Sequence, residues 1–278
     1  MNIAILLAGL VLLVMVLADF AYTTVSANMT GPLTRRVAAG VWQVHSLLAR
    51  ISGGRWVRRA AGPLVMSGVA MFWIAGTSLA WLLVFQSDPQ AVLNKQTDTP
   101  AGWAQSYAFV GSALSTVGAS NARAGTTVWD IVAMAAAVNG MVVLTLSVTF
   151  VLNVTQTVTT GRGVVMLADL VDPADTGNRS TLLPELTTLC MRLNGAPLAL
   201  YYSTDREELS VPDGLLRLAR RAARTPEVFE DYRHILKELP HFDAPEDLSS
   251  GAFLEKLAAW RDRFSPHGTG DEAHGKGR

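Results

Sequence analysis

Three long apolar runs constrain this chain more than any other feature: Ile3 to Phe20, charged only at Asp19; Leu64 to Phe85, twenty-two residues without a charge; and Val128 to Leu152, uncharged after Asp130. At about 1.5 Å of rise per residue, each is long enough as a helix to cross a hydrocarbon core about 30 Å thick. No water is available there to bond exposed amides and carbonyls, so a spanning segment must satisfy its own backbone, and a helix does so. With half of its 278 residues hydrophobic and 17% charged, the chain is too apolar for an ordinary soluble domain. The expected fold class is an all-α membrane protein with three transmembrane helices. Val25-Ser26-Ala27 has the small residues of a signal-peptide cleavage site, but no basic residue precedes the first apolar run, so residues 1–23 read as a retained span.

Charge sets the expected orientation. Segment 24–63 holds Arg35, Arg36, Arg50, Arg55, Arg58 and Arg59 and no acid, which places it in the cytoplasm and the N-terminus outside, in the cell membrane. Within it Val37, Val41, Val44, Leu48 and Ile51 recur at helical spacing with the arginines and His45 off that face, as in an amphipathic helix resting on the lipids of the inner leaflet. Asp19, near the inner end of the first span, is expected to snorkel to the interface. Ser67, Gly68, Gly76 and Ser78 would let a neighbouring helix approach the second span closely. Residues 1–162 carry nine Lys/Arg and four Asp/Glu, and 163–278 carry fourteen and nineteen. A boundary to a soluble, acidic, cytoplasmic part is therefore expected at Gly161-Arg162-Gly163. Zero net charge, with no basic face beyond the residues beside a span, argues against a nucleic-acid partner.

The most informative stretch lies between the second and third runs. A polar segment, Ser87 to Gly102, leads to Trp103–Leu114, which reads as a helix of about three turns and is too short to span. Seven small residues follow, Ser115-Thr116-Val117-Gly118-Ala119-Ser120-Asn121. Irregular backbone at membrane depth survives only where protein or a water-filled path satisfies it, which makes a pore the leading reading. Thr127 and Asp130 have the spacing of a capping box and put an acid at the positive end of the third span. Along that span Met141, Leu144, Val148 and Leu152 form one stripe, and Thr145, Thr149 and Asn153 another.

This order of elements resembles the pore module of the two-transmembrane potassium-channel superfamily, over residues 64–153, about a third of the chain. Thr116-Val117-Gly118 matches the first half of that family's filter, Thr-Val-Gly-Tyr-Gly, and Gly140, nineteen positions beyond Asn121, falls where the family often has a hinge glycine in its inner helix. The resemblance implies a re-entrant pore helix, a filter formed by Thr116, Val117, Gly118, Ala119 and Ser120, a gating hinge at Gly140, and an inner cavity lined by Asn139, Met141, Leu144 and Val148. The physical reading agrees: a dehydrated cation needs several oxygens in place of its water, and carbonyls of Thr116 to Ala119, with the Thr116 hydroxyl, can supply them when repeated around an axis. One chain has one such loop, so a homotetramer is implied, passing potassium or sodium and needing no cofactor. The outer half departs from the family. Ala119 replaces the Tyr, Ser120 the second Gly and Asn121 the usual Asp; a left-handed Ser costs about 1–2 kcal/mol per subunit, so reduced potassium selectivity is expected.

In residues 163–264, Thr181–Leu193, Gly214–Leu239 and Gly251–Phe264 look helical and Leu198–Tyr202 could be a short strand, giving a small, mainly helical domain; 265–278, with four glycines and no large apolar residue, reads as a disordered tail. Arg217, Arg220, Arg221 and Arg224 beside Glu227, Glu230 and Asp231 read as solvated faces or intersubunit pairs. Lone Cys190, among Leu186, Leu189 and Leu193, reads as a buried thiol. His234 and His241, split by Leu239-Pro240, do not suggest a metal site, and no catalytic pair or triad stands out, so no enzyme is expected. Nor does any helix carry the arginine repeat of a voltage sensor. The competing function is a membrane-tethered signalling or scaffold protein working through residues 163–264.

Overall fold

The computed structural model describes residues 1–25, 30–52, 61–118, 121–202, 204, 206–245 and 248–264. Arg55, Arg58, Arg59, Ala119, Ser120 and the tail 265–278 lie outside the described residues. Among the described residues stand α1 (Ile3–Thr24), α2 (Pro32–Ser52), α3 (Ala61–Gln86), β1 (Val92–Asn94), α4 (Trp103–Leu114), β2 (Ala122–Ala124), α5 (Thr127–Leu170), α6 (Thr176–Gly195), α7 (Val211–Ala222), α8 (Pro226–Leu236) and α9 (Ser250–Asp262). Helices α1, α3 and α5 are each long and apolar enough to cross a membrane. The chain packs as two units, one made of Met1–Val37 and Ser67–Val151, the other of Ala38–Met66 and the chain from Leu152 onward.

In the first unit, Asn2 caps α1 by accepting from the Ala4 and Ile5 amides at 3.1 and 3.4 Å. Side chains too small to separate the backbones let α1 lie on α3: a Cβ on Gly9 would stand 2.9 Å from the Val84 nitrogen, and one on Gly76 would stand 3.0 Å from Val16. Where lipid offers no hydrophobic drive between helices, such close packing is the main source of attraction. The end of this unit that carries α4 is closed by a core of Leu13, Trp81, Phe85, Val110, Trp129 and Ala136. Phe85 meets Phe109 of α4 edge-on at 5.4 Å and Trp129 of α5 at 5.5 Å, and fully burying such a ring contributes about 2–3 kcal/mol. The antiparallel pair β1–β2, with Val92 opposite Ala124 and Asn94 opposite Ala122, ties the entry to α4 to the exit of the following loop. Helix α5 begins at Thr127, with Asp130 in its first turn. The Asp130 amide bonds the Thr126 carbonyl at 3.0 Å, so Thr126 holds the capping position and Thr127 and Asp130 both lie inside the helix, out of register for the expected box.

The second unit holds α5 from Leu152 onward with α6 to α9. Five expectations change here. Helix α5 runs unbroken through Gly161-Arg162-Gly163 to Leu170; Gly161 is a packing glycine, since a Cβ there would come within 2.8 Å of Val211. Leu198–Tyr202 is not a strand, because Pro197–Tyr201 coil as a 3-10 turn with Pro197 at its start. The stretch Gly214–Leu239 is two helices, α7 and α8, divided where Pro226 begins α8 and bars the helical conformation for Thr225. The arginines of α7 do not simply face solvent: Arg221 donates to the Ala168 carbonyl at 2.6 Å and to that of Val171, and Arg217 pairs with Asp169 at 2.7 Å. A cation at the negative end of α5 satisfies carbonyls the helix itself cannot. The core holds Leu182, Leu186, Leu189, Leu193, Leu215, Phe229, Phe253 and Trp260, with the Trp260 indole donating to the Pro240 carbonyl at 2.8 Å. Burial pushes the Cys190 thiol up to about 12. Helix α2 leaves Val44, Leu47 and Leu48 exposed but buries His45, expected at an interface, near the Trp42 ring; burial lowers the His45 pKa.

Candidate functional site

The loop Ser115–Asn121 begins as the last carbonyls of α4 are used up. Ser115 N bonds Gly111 O at 3.0 Å, Thr116 N bonds Ala113 O at 3.1 Å, and Val117 N bonds Ser112 O at 3.2 Å. The helix thus tightens, then reverses hand: Thr116 has φ 57° and Gly118 φ 72°. Glycine tolerates that region, whereas a β-branched residue is strained there by about 1–2 kcal/mol. The Thr116 hydroxyl donates to the Ser115 carbonyl at 2.7 Å. Left-handed residues thus stand on either side of Val117. Ser115 to Gly118 are exposed, and Val117 has 68% of its surface free. Beyond Ala119 and Ser120, outside the described residues, the backbone is fixed again where Lys95 N bonds Asn121 O at 2.9 Å, and Arg123 pairs with Asp98 at 2.8 Å.

The other expected site residues fall on α5. Gly140 lies inside the continuous helix directly beneath the end of α4: a Cβ there would stand 2.3 Å from the Leu114 carbonyl oxygen and 2.6 Å from the Leu114 Cα. Asn139 is only half-buried and accepts from the Trp81 indole of α3 at 2.9 Å, which satisfies the one polar side chain at the centre of this span. Met141, Leu144 and Val148 are exposed, as are Met134, Val138 and Leu152. Thr149 bonds the Thr145 carbonyl of its own helix at 3.0 Å. The structure therefore brings Gly140 and Asn139 against α4 and α3, and leaves the Met141 stripe exposed among the described residues.

A second constellation went unread in the sequence. Asp19 is buried, with 3% of its surface exposed, and its carboxylate accepts from the amides of Leu33 at 2.7 Å and Thr34 at 3.0 Å and from the Thr34 hydroxyl. It caps the N-terminus of α2, where the helix dipole favours negative charge, so the expected snorkelling gives way to a capping role. Gly31 makes room, since a Cβ there would overlap Asp19. Trp73 of α3 donates to the Thr34 hydroxyl at 3.1 Å and stacks edge-on with Phe20 at 5.0 Å and Phe150 of α5 at 5.4 Å. The signal was present: Pro32 opens α2 behind a glycine that has no side chain to cap it, and Asp19 is the first acid in the chain.

No family model and no solved structure matches the chain. It is 30% identical over 164 residues to the uncharacterized membrane protein YdjJ of Bacillus subtilis, an overlap of 58% of this chain and 47% of that protein. The chain is a membrane protein. It spans about half the length of the relative it matches.

Proposed function

We propose that the chain is one subunit of a tetrameric cation channel, in which the loop from Thr116 to Ser120 forms the ion path and α4 is a re-entrant pore helix. The observation that carries this reading is the change of hand at Thr116 and Gly118 immediately after a short helix. It gathers carbonyls in place of a lost hydration shell, while the negative end of α4 faces the loop. The uncovered stripe Met141, Leu144 and Val148 then borders the inner cavity, the basic segment before α3 lies in the cytoplasm, and the second unit is the cytoplasmic domain. Conduction is passive and carries potassium, with sodium less strongly excluded because the outer half of the filter is Ala119-Ser120.

Flux of potassium from liposomes holding the purified protein tests this directly. Gly118→Ala places a side chain at φ 72°, and Thr116→Ala removes the hydroxyl; both should abolish flux. Flux that is absent, or indifferent to both changes, favours the tether, whose support is that the second unit has a core of its own. Reversal potentials in biionic potassium and sodium solutions read the selectivity, and a strong potassium preference would overturn the expectation drawn from Ala119-Ser120.

A further inference from the structure

We propose that a pocket between α3, the end of α4 and α5 binds a small, neutral, membrane-partitioned molecule carrying one hydrogen-bonding group. The pocket has a volume of 210 Å³ and is lined by Ile74 and Thr77 of α3, Gly111 and Leu114 of α4, and Gly140 and Val143 of α5, among others. Thr77 is 2% exposed and its hydroxyl has no partner. The contrast is with Thr23, Thr149 and Thr157, whose hydroxyls each donate to the carbonyl four residues back. A buried donor left unpaired is costly, and a ligand oxygen would relieve it.

The lining decides the chemistry. No ionisable side chain lines the pocket, so a charged ligand would give up its hydration for nothing. Besides Thr77 the lining includes Ser78 and Ser115, and the Ser115 hydroxyl already donates to the Gly111 carbonyl at 2.7 Å. An apolar cavity of about 150 Å³ admits benzene, so this one suits about eight heavy atoms, an aliphatic or aromatic body with a hydroxyl or carbonyl. Ile74 and Thr77 lie midway along the apolar span Gly62–Gln86, where a hydroxyl has no partner in lipid and gains one in Thr77. Its seat touches Gly140 and also Leu114, which stands two residues before Thr116, so in the proposed channel occupancy would bear on the loop.

The test uses the full chain in liposomes and a hexanol carrying a diazirine, photolysed and mapped by peptide mass spectrometry. Adducts are expected on the segments around Thr77, Gly111–Leu114 and Gly140–Val143, displaced by excess plain hexanol. Thr77→Val, which keeps the shape, should cut labelling about fivefold, the worth of one neutral hydrogen bond. Gly111→Leu grows from a position whose Cβ meets nothing within 4 Å, fills the pocket and should reduce labelling to that of lipid-facing residues. Labelling spread over Met71 and Val138 as strongly as over the pocket, and unmoved by either change, overturns the proposal and leaves the space to a neighbouring copy or lipid. Adducts form whether or not the protein conducts, so failure of the channel reading is separately visible.

Discussion

Gly140→Ala separates two roles for the same glycine. As a hinge it would bend α5 to open the inner mouth, and alanine would shift open probability while leaving selectivity alone. The structure adds a different constraint: the new Cβ would stand 2.3 Å from the Leu114 oxygen, 2.6 Å from its Cα and 2.8 Å from its carbonyl carbon. Ordinary contact begins at 3.4 Å, so α4 and α5 must separate by about 1 Å, and backbone atoms cannot rotate aside as a side chain would. Overpacking of this kind costs about 1–3 kcal/mol, against a gain of about 1 kcal/mol from replacing glycine in a helix. Helix α4 is held through its own Phe109 against Phe85 of α3, which in turn packs on Trp129 of α5; this limits relaxation and leaves a net loss of about 1–2 kcal/mol. At about 2–4 °C per kcal/mol for a chain of this size, thermal unfolding followed by tryptophan fluorescence should fall by a few degrees. Because Leu114 precedes Thr116 by two residues, the biionic reversal potential should also move. A variant that is more stable than the parent and changes gating alone would refute the argument and restore the free hinge.

Asp19→Ala leaves the Leu33 and Thr34 amides without an acceptor; a loss of about 2 kcal/mol raises the frayed population of the first turn of α2 about thirtyfold, read as faster tryptic cleavage after Arg35 or Arg36, and an unchanged rate would show that the cap is dispensable. Asn139→Leu strands the Trp81 indole, so a cycle with Trp81→Phe should give a coupling of about 0.5–1.5 kcal/mol, whereas additive losses would mean no working bond. Burial raises the Cys190 thiol from 9.0 to about 12: between those values the unfolded chain gives up a proton that the folded chain keeps. Stability from this group is therefore full below about 9 and declines as pH rises above it; Cys190→Ala should flatten that slope, and native protein should resist iodoacetamide until unfolded.

The parts legible in the sequence were those governed by long uncharged runs or by strong punctuation. Each of the three spans shows itself by length and lack of charge, and Trp103–Leu114 is bounded by Gly102 and by the small residues of the loop, so helix α4 has the ends expected of it. What escaped was set by tertiary packing. Gly161 and Gly163 look like breakers, yet α5 passes through them because Val211 needs the space at Gly161. Strands of three residues are too short to show alternation, so the β1–β2 pair left no trace. Asp19 was read from its depth alone, while its partner amides sit fourteen and fifteen residues away, beyond the reach of any local periodicity.

The loop itself concentrates what a single chain cannot satisfy. Thr116 holds a left-handed conformation unfavourable to a β-branched side chain, and strain of that kind persists only where the surroundings over-determine it. One end is over-determined here: α4 is clamped by the aromatic core and seated on Gly140. The other is pinned through Asn121 to β1. Between the two anchors Val117 is exposed among the described residues. A strained backbone that displays a bulky aliphatic side chain is costly for an isolated subunit, and the cost is offset if identical loops meet around an axis and bury those valines together. The same closure would bring the carbonyls of four copies to one line. In the proposed channel, assembly and ion path would both follow from the backbone reversal at Thr116 and Gly118, and a variant that relaxes the reversal should lose both at once.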